Sequence, residues 1–431
     1  MRTPGAERAP RVAFVNLGCR VNRVELDAIA RELELVGIEV ASEDEAEAIV
    51  INTCAVTGEA EAKARKAVRH AAGLAGGPAV VATGCVASLF AEELEALAEN
   101  VTVEPNKDAV ASRVIEKLGI AGGIEAPGAS AAAAPGHAVT PTGRMRPGLK
   151  IQDGCDNQCT YCIVWKARGA ARSVAADEVV EGVRTLEADG AREVVLTGID
   201  LGRYSYEGLD LAGLLERILA ETGIARVRIS SIEPAGVTDR LLSVMAGSNG
   251  RVAPFLHIPL QSGCDATLAR MGRPYSSAEY LDVVARARKA LPGVAIACDL
   301  IVAFPGETEE EFAESLATCE KAQFAKMHVF RYSRRPGTPA AAMEGQVPPE
   351  VSAERSRVMR ELASRMRRAY AASLVGTEQL VLVEHGDKGV TGGLVETYVD
   401  AGHVGELMGV TPHSLTSAGV LDARSGRIMG E

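Results

Sequence analysis

Short apolar runs alternate with helical segments along residues 12–117. The runs "VAFVN", "EAIVIN" and "AVVAT" predict three strands, because short apolar runs bounded by turns are typical of strands. After the first run, an apolar stripe from Leu26 to Leu33 predicts a helix that ends at Gly37, and Asn22 and Glu25 are spaced as its capping box. This alternation predicts an α/β domain with a parallel sheet.

The alternation resumes at Leu149 and continues through six units. Strands are predicted near "LKIQ", "EVVLTG", "RVRISS", "FLHIPL", "VAIACDLIV" and "MHVFRYS", with helical segments between them. Alternation of this length predicts a parallel sheet, and six units predict an open or partial (β/α) barrel. After an arginine-rich helix around residues 353–372, short strands punctuated by glycine predict a small all-β barrel.

The segment between the two α/β regions has a different composition. It is rich in Gly, Ala and Pro and has no periodicity, which predicts an interdomain linker. The chain is therefore expected to comprise an N-terminal parallel α/β domain over residues 10–118, the linker over 119–147, the partial barrel over 148–372 and the small β-barrel over 373–431.

Composition and charge restrict the class of protein. Apolar residues make up 47% of the 431 residues and charged residues 24%, an ordinary globular mixture rather than a disordered one. The sequence has neither a secretory signal pattern nor an apolar run of membrane-spanning length, so we expect a cytoplasmic protein without a membrane partner. Nine cysteines then favour metal or redox chemistry over disulfides. The net charge of -11 means that RNA binding would require local basic patches.

Three cysteines are concentrated in the segment "GCDNQCTYC", which contains Cys155, Cys159 and Cys162 directly after a predicted strand. Cysteine thiolates hold iron–sulfur clusters, and three ligands on a four-iron cubane leave one iron open to a substrate or cofactor. Structural zinc is the alternative, but it requires four ligands. The neighbouring histidines, His137 and His257, are distant in sequence. The pattern favours the cluster.

The spacing C-x3-C-x2-C resembles the signature of the radical S-adenosylmethionine (SAM) superfamily. The segments "TGID", "SSIEP", "LQSG" and "FPGET" follow successive predicted strands and are similar to family segments that line the SAM pocket or substrate face. The resemblance implies that Cys155, Cys159 and Cys162 hold a [4Fe–4S] cluster whose open iron binds SAM. Reduction of this cluster then cleaves SAM to a 5′-deoxyadenosyl radical.

The same resemblance suggests four residues of the SAM pocket. It implies that Tyr161 lies near the adenine, Ser230 and Glu233 near the ribose or methionine, and Gln261 at the substrate-facing wall. The alternative for each is barrel packing or capping.

A second set of thiols recurs at one structural place. Cys19, Cys54 and Cys85 each follow a predicted parallel strand. Because parallel strands in one sheet point their carboxyl ends the same way, we expect the three thiols to converge on one edge. Unrelated buried cysteines are the alternative, since free cysteine is among the most buried residue types. The recurrence favours a second three-cysteine iron–sulfur cluster, again with an open iron.

The three parts together resemble the methylthiotransferases, which combine a cysteine-triad domain, a radical SAM barrel and a C-terminal TRAM β-barrel. "NLGCRVNRVELDA" and "INTCAVTGEAEAKARKAVR" are similar to segments of the MtaB-type tRNA enzymes. The isopentenyladenosine branch favours GCQMN instead, and the ribosomal-protein branch GCPKN. "HVFRYSRRPGTPAAAM" matches a further family segment apart from substitutions such as Arg331 for proline.

This resemblance implies an enzyme that methylthiolates C2 of N6-threonylcarbamoyladenosine at position 37 of tRNA. The C2–H bond carries no acidic proton, so the difficult step requires a radical that a cofactor supplies. One SAM would donate a methyl group to sulfur at the Cys19/Cys54/Cys85 cluster, and a second would supply the radical. The implied partners are the tRNA anticodon stem-loop, an electron donor such as flavodoxin or ferredoxin, and a sulfur source.

Three alternatives stay open from the sequence. Two are methylthiotransferases that act on isopentenyladenosine in tRNA or on a ribosomal-protein aspartate. The third is a non-catalytic iron–sulfur protein that binds RNA.

Several features bear on RNA binding or depart from the family pattern. The helix "ERSRVMRELASRMRR" carries six arginines, of which Arg357, Arg360 and Arg368 are spaced closely enough to share a face. This pattern predicts either a phosphate-contacting stripe or a solvated helix with Glu–Arg pairs. Residues 374–431 hold eight acidic and three basic residues, which is unusual for an RNA-binding domain. Trp165 and Lys166 replace the family's Pro-Tyr pair, and Ala303 stands where the family usually has glycine. The six arginines are Arg355, Arg357, Arg360, Arg365, Arg367 and Arg368.

Overall fold

The computed structural model of the chain describes residues 8–120, 140, 144–402 and 404–425. These residues divide into two compact units. The N-terminal unit contains residues 8–120, 140, 144 and 163–170, and the C-terminal unit contains residues 145–162, 171–402 and 404–425. Most of the predicted linker, residues 121–139 and 141–143, lies outside the described residues.

The N-terminal unit is built on a five-stranded parallel sheet in the order β2-β1-β3-β4-β5. Its strands are β1 (Arg11–Asn16), β2 (Glu39–Val40), β3 (Ala48–Thr53), β4 (Ala79–Gly84) and β5 (Val101–Val103). The apolar run of β3 is buried at all six positions. This is the expected environment of a central parallel strand that helices cover on both faces.

Among the residues that the structure describes, six helices accompany this sheet: α1 (Arg20–Leu35), α2 (Gly58–Ala72), α3 (Cys85–Leu89), α4 (Ala91–Glu95), α5 (Val110–Lys117) and α6 (Val164–Arg168). Successive side chains of β3 point to opposite faces, as strand geometry requires. Val50 packs with Leu26 of α1 in one apolar cluster. Ile51 packs with Val68 of α2 in another.

The capping box predicted at Asn22 and Glu25 is wrong. Helix α1 begins at Arg20 with Cys19 as its N-cap, and no side chain caps it. Asn22 and Glu25 lie inside the helix and are buried. Residues three apart also share one helix face, and here that face carries a buried polar network described with the site.

The C-terminal unit contains the six predicted barrel strands. Its strands up to residue 331 are β6 (Gly148–Lys150), β7 (Gln152–Asp153), β8 (Arg172–Ser173), β9 (Glu193–Thr197), β10 (Ser205–Tyr206), β11 (Leu209–Asp210), β12 (Arg226–Ile229), β13 (Phe255–His257), β14 (Ala295–Val302) and β15 (Lys326–Arg331). Strands β6, β9 and β12 form one parallel sheet, and β13, β14 and β15 form another. Single bridges pair Val227 with Val252 and Ser231 with His257, so β12 and β13 are also neighbours. The result is a partial barrel with β6 and β15 at its two ends.

Seven helices belong to this unit: α7 (Ala176–Ala188), α8 (Leu211–Glu221), α9 (Asp239–Gly247), α10 (Asp265–Met271), α11 (Ser277–Ala290), α12 (Glu309–Ala322) and α13 (Pro349–Ser373). The outward side chains of the barrel strands, such as Ile229, Leu256 and Leu300, pack with these helices in one large apolar core. No helix within the described residues is long and apolar enough to cross a membrane.

A small β-domain follows α13. Its strands are β16 (Gln379–His385), β17 (Lys388–Thr391), β18 (Glu396–Tyr398), β19 (Leu407–Val410), β20 (Ser414–Leu415) and β21 (Leu421–Asp422), which form one sheet in the order β19-β16-β17-β18-β21-β20. Arg226 donates to the carbonyl of Leu380 (2.7 Å), and Arg228 donates to that of Gly392 (2.6 Å). Because β12 begins at Arg226, the β-domain packs against the amino-terminal ends of the barrel strands.

One buried carboxylate holds both of these arginines. Glu193, at the start of β9, accepts from Arg226 Nε and from Arg228 Nε, each at 2.6 Å. Glu193 is inaccessible to solvent, and the arginine side chains are almost so. Burial alone would raise the pKa of Glu193, but the guanidinium groups of Arg228 and Arg226 outweigh it and lower the pKa to about 2. The junction between barrel and β-domain therefore contains a charged cluster whose members compensate one another.

We expect Glu193→Gln to destabilise the chain by roughly 3–5 kcal/mol, because it leaves two buried guanidinium groups without their counter-charge. The free energy of urea unfolding measures the effect. Since the folded pKa lies below the usual glutamate value, this carboxylate stabilises the fold above about pH 4 and loses that contribution as the pH falls towards 2. The variant should therefore lose less stability than the unmodified chain on acidification.

Glu181→Gln is the matched control, because Glu181 is an exposed carboxylate paired with Arg184 at 3.4 Å. Exposed pairs contribute about 0–1 kcal/mol. Equal unfolding free energies for the two variants would contradict the assigned role of Glu193.

Candidate functional site

The loop that carries Cys155, Cys159 and Cys162 follows β7 and is fixed by Gln152. The side-chain oxygen of Gln152 accepts from the backbone amides of Ile199 (2.9 Å) and Asp200 (3.0 Å), which follow β9. Its amide nitrogen donates to the carbonyls of Asp153 and Gly154, each at 2.9 Å. One buried glutamine thus ties the cysteine loop to the segment "TGID" at the carboxyl end of the neighbouring strand.

A buried arginine contacts the same loop. Arg273 donates through Nη1 to Cys159 Sγ (3.1 Å), pairs with Glu233, and donates through Nε to Tyr275 Oη (3.0 Å). Its side chain is 2% exposed. A cation next to a thiol favours the thiolate, the form that binds metal. Arg273 was not identified from the sequence, because it lies 111 positions beyond Cys162 in "GRPYS", a segment that carries no metal-site spacing.

The predicted SAM-pocket residues lie in contrasting surroundings. Tyr161 packs with Phe304 in an apolar cluster, and burial raises its pKa well above the usual value. Ser230 is 5% exposed, and its hydroxyl has no hydrogen-bond partner among the described residues. Gln261 has a left-handed backbone, with φ of 64°. An unpaired buried hydroxyl costs free energy unless a ligand satisfies it, so Ser230 is suited to binding.

Glu233 connects this region to the cysteine loop. Its backbone amide donates to Asp200 Oδ1 (3.2 Å), and its carboxylate pairs with Arg273. Burial raises the pKa of Cys155, and the nearby Asp200, Cys159 and Glu233 raise it further. The loop, "TGID" and "SSIEP" therefore meet at the carboxyl ends of the barrel strands, where ligands bind in α/β barrels.

These residues fit a [4Fe–4S] cluster held by three cysteines. The loop offers three thiols, all free of disulfides, and Arg273 supplies a positive charge to one of them. Within the described residues, no group of three or more His, Cys, Asp or Glu side chains is arranged to hold a metal ion. Such an arrangement is needed when several ligands bind one ion, whereas the cysteines of a cubane each bind a different iron.

The second triad lies at one edge of the N-terminal sheet. Cys19 follows β1, Cys54 follows β3 and Cys85 begins α3 after β4, and these three strands are parallel neighbours. Cys19 is exposed, whereas Cys54 and Cys85 are buried. Burial raises the pKa of Cys54 to about 11, and the nearby thiols of Cys19 and Cys85 contribute to the increase. Three thiols close enough to affect one another fit a second cluster in donor type and number.

A buried polar network contacts this triad through Cys19. Asn22 accepts from Cys19 Sγ (3.3 Å) and from Arg168 Nη2 (2.9 Å), and it donates to Asn52 Oδ1 (2.8 Å). Glu25 accepts from Arg168 Nη1 at 2.8 Å and lies 3.5 Å from Lys107 Nζ. Burial lowers the pKa of Lys107 to about 8, against the opposing effect of Glu25. The network fixes the turn that holds Cys19 to strands β3 and β4.

Glycines permit the close approach of the turns that carry the cysteines. A Cβ at Gly84 would lie 2.3 Å from the carbonyl oxygen of Thr53, and φ at Gly84 is +97°. A Cβ at Gly18 would lie 2.4 Å from Asn22 Cγ. Both contacts are closer than real Cβ atoms approach, so glycine is required directly before Cys19 and directly before Cys85.

The arginine-rich helix corresponds to α13, and its arginines differ in environment. Arg355 is 5% exposed and donates through Nη1 to the carbonyl and carboxylate oxygens of Glu307, both at 2.9 Å. Arg355 is therefore not one of the solvated arginines of this helix, because its guanidinium is buried against "FPGET". Arg357 pairs with Glu354 and Glu361, each at 2.6 Å. This is the Glu–Arg pairing that the solvated-helix alternative predicts.

The two departures from the family pattern also have definite surroundings. Lys166 Nζ lies 5.1 Å from the centroid of the Trp165 ring, within the range of a cation–π contact. Trp165 Nε1 is buried without a hydrogen-bond partner among the described residues. Ala303 has a φ of 61°, the left-handed region that favours glycine.

Comparison with known proteins yields a consistent set of relatives. Residues 149–319 match the Radical SAM superfamily, and residues 11–104 match the uncharacterized protein family UPF0004. The chain is 34% identical to the threonylcarbamoyladenosine tRNA methylthiotransferase MtaB of Thermotoga maritima, over 97% of this chain and 98% of that protein. It is 36% identical to the ribosomal protein uS12 methylthiotransferase RimO of Desulforudis audaxviator, over 90% of this chain and 88% of that protein.

A solved structure shares the fold. The radical SAM methyltransferase TsrM from Kitasatospora setae, determined with cobalamin and a [4Fe–4S] cluster bound, aligns with a TM-score of 0.57. The alignment covers 77% of each chain at 14% sequence identity. Identity this low supports a common fold and does not bear on the reaction.

We expect Gly84→Ala to disrupt the Cys19/Cys54/Cys85 edge, because the new methyl group would collide with the backbone of Thr53. Gly76→Ala is the matched control: φ at Gly76 is +99°, and a Cβ there meets nothing within 4 Å. Both variants should lose about 1–2 kcal/mol to the left-handed backbone, and Gly84→Ala should lose more. The melting temperature and the iron content after anaerobic reconstitution measure the difference. Identical behaviour of the two variants would contradict the requirement at Gly84.

Proposed function

The chain belongs to the radical SAM methylthiotransferase family, and we propose that it methylthiolates C2 of N6-threonylcarbamoyladenosine at position 37 of tRNA. The similarity over 97% of this chain to a relative named for that nucleoside carries the proposal. The segments "GCRVN" and "NTCAVT", which resemble the MtaB-type form, support the same branch. A ribosomal-protein aspartate is the second candidate substrate, because the uS12 methylthiotransferase is 36% identical.

In this proposal, Cys155, Cys159 and Cys162 hold the [4Fe–4S] cluster of the radical SAM barrel. When bound there, the cluster and SAM supply a carbon radical, which the non-acidic C2–H bond requires. Arg273 donates a hydrogen bond to the Cys159 sulfur and fixes Glu233 by an ion pair. Support for the assignment comes from the fixed loop, its arginine and the family membership.

Four residues of the chain are proposed to bind SAM or to face the substrate. Ser230 has a buried hydroxyl that a ligand could satisfy, and we assign it with Glu233 to the ribose or methionine part. Tyr161, which sits between two cluster cysteines, is assigned to the adenine. Gln261, whose backbone oxygen accepts from Ile301 at 2.8 Å, is assigned to the substrate-facing wall.

Cys19, Cys54 and Cys85 are proposed to hold a second [4Fe–4S] cluster that carries the sulfur to be methylated. The convergence of three free thiols on one sheet edge supports this role. The chain's contribution is to hold these thiols in place, through Asn22 and the Glu25 carboxylate beneath them. An electron donor such as flavodoxin or ferredoxin and a source of sulfur complete the reaction.

We assign the C-terminal β-domain to the TRAM type and the domain boundaries to residues 118, 147 and 372. The β-domain packs at the amino-terminal ends of the barrel strands, whereas the cysteine loop lies at their carboxyl ends. We therefore propose no direct contact between this domain and the modified base. We assign it instead to holding the tRNA at a distance from the modified position.

A deletion strain tests the substrate. We expect its tRNA to lack 2-methylthio-N6-threonylcarbamoyladenosine and to accumulate the unmethylthiolated nucleoside, as measured by mass spectrometry of nuclease-digested tRNA. Complementation with the unmodified gene should restore the product. Loss of methylthio-aspartate from the ribosomal protein, with unchanged tRNA nucleosides, would instead establish the second candidate.

Cysteine variants of the purified enzyme test the division of labour between the triads. We expect Cys54→Ala to abolish the methylthio product while 5′-deoxyadenosine still forms from SAM under dithionite, and Cys159→Ala to abolish both. Iron content should fall by about half in each, since each variant removes one cubane. Cys264→Ala, which lies in neither triad, is the control. Unaltered product formation by Cys54→Ala would refute the role of the second cluster.

A further inference from the structure

Four polar side chains form a layer on the inner wall of the partial barrel. Ser231 Oγ lies 3.4 Å from His257 Nδ1, and His257 Nε2 lies 3.2 Å from Asp299 Oδ1. The His257 and His328 rings are 5.9 Å apart between centroids. These four residues, Ser231, His257, Asp299 and His328, are called the inner polar layer below.

Strand alternation places this layer inside the barrel. Leu256 and Leu300 belong to the outer apolar core, so their neighbours His257 and Asp299 point the other way. Phe255 is two residues before His257, and the Arg228 guanidinium carbon lies 5.3 Å from the centroid of the Phe255 ring. His328 pairs directly with Asp299 in the parallel register and therefore shares its face. His257 and Asp299 are partly exposed, and His328 is exposed, so the layer is open to a ligand.

The layer lies close to the cysteine loop. The carbonyl of His257 accepts from the backbone amide of Ile232 at 2.9 Å. The next residue is Glu233, which pairs with the Arg273 that donates to Cys159. One step up the barrel from Asp299, Ile301 packs in the apolar cluster that contains Tyr161 of the cysteine loop. A molecule in the layer would therefore lie next to the proposed radical source.

The barrel is closed below the layer. Phe255, Ala295 and Ala297 form a small apolar cluster with Tyr370 and Leu394. Arg228, at the amino-terminal end of the same wall, donates to Glu193 and to the carbonyl of Gly392 in the β-domain. A ligand would therefore enter from the carboxyl ends of the strands and reach the polar layer at its greatest depth.

We propose that the inner polar layer binds the polar substituent on N6 of the target adenine and so selects a threonylcarbamoyl group over a hydrocarbon group. This inference rests on the proposed function and names the residues that determine its specificity. A threonylcarbamoyl group carries a carboxylate, a hydroxyl and a urea, which the exposed His328 ring, the Asp299 carboxylate and the Ser231 hydroxyl can satisfy. A hydrocarbon group would exclude water from the partly exposed Asp299 carboxylate without replacing its hydrogen bonds, at a cost in free energy.

Such a site discriminates asymmetrically. A pocket built to hydrogen-bond a substrate group rejects the analogue that lacks this group far more strongly than an apolar pocket rejects an added hydroxyl. Asp299 and His328 present the polar groups that a ligand can reach, and they make the contacts. His257 acts as a positioning residue, because its ring lies between Ser231 Oγ and the Asp299 carboxylate and its Nε2 is buried without a hydrogen-bond partner among the described residues.

The test uses the reconstituted full-length enzyme and anticodon stem-loops that differ only in the substituent on residue 37. We expect His328→Leu and His257→Leu to lower kcat/KM for the threonylcarbamoyl stem-loop by roughly 10- to 100-fold, the effect of one lost bond to a charged group. The binding preference for this stem-loop over one with unmodified adenosine should fall by a similar factor.

His70→Leu is the matched control, an exposed histidine in the last turn of α2 of the N-terminal unit, and it should retain both values. If the unmodified enzyme converts the threonylcarbamoyl stem-loop and both layer variants do so equally well, the inference is overturned while the proposed function stands. If the unmodified enzyme converts only the isopentenyl stem-loop or the ribosomal protein, both are overturned.

Discussion

Parallel strand pairing is the constraint on which the candidate sites depend. Strands that run in the same direction deliver their carboxyl ends to one edge, so residues far apart in sequence meet there without any direct bond between them. In the N-terminal sheet this brings together Cys19, Cys54 and Cys85 after three neighbouring strands. In the barrel it brings the cysteine loop against "TGID" and "SSIEP". The sheets thus determine which loops are neighbours, and side chains such as Gln152 and Asn22 then fix the loops in place.

Both units bury charged side chains in the same way. Glu193 lies between Arg226 and Arg228, and Glu25 lies between Arg168 and Lys107. In each case a single carboxylate satisfies two cations that apolar surroundings would otherwise destabilise. The pairs join segments that are remote in sequence. They therefore fix the positions of loops and do not determine where strands form. Glu193 fixes the closed end of the barrel, and Glu25 fixes the turn that carries Cys19.

Local patterns therefore predicted strands and thiols but not these pairs. The apolar runs identified six barrel strands and the three strands before the N-terminal thiols, because a buried strand is recognised from the apolar character of adjacent residues. Arg168 and Glu25 are 143 positions apart, and no local pattern links them. The i,i+3 spacing of Asn22 and Glu25 suggested a capping box, since capping and a buried helix face share that spacing. Arg355 was counted as a surface charge because its partner, Glu307, lies in another segment.

The inner wall of the barrel suggests how one family can act on different substrates. In the proposed function, the chemistry supplied at the cysteine loops is independent of the substituent on the target. Discrimination must then come from side chains that the substrate touches, and strand alternation lets these vary without disturbing the outward core. His257 and Asp299 can change on the inner face while Leu256 and Leu300 continue to pack against the helices. The charged cluster around Glu193 closes the amino-terminal end of the barrel, and the cysteine loop is fixed at the carboxyl end. The inner polar layer between them is therefore the part of the barrel whose residues can vary with the substrate.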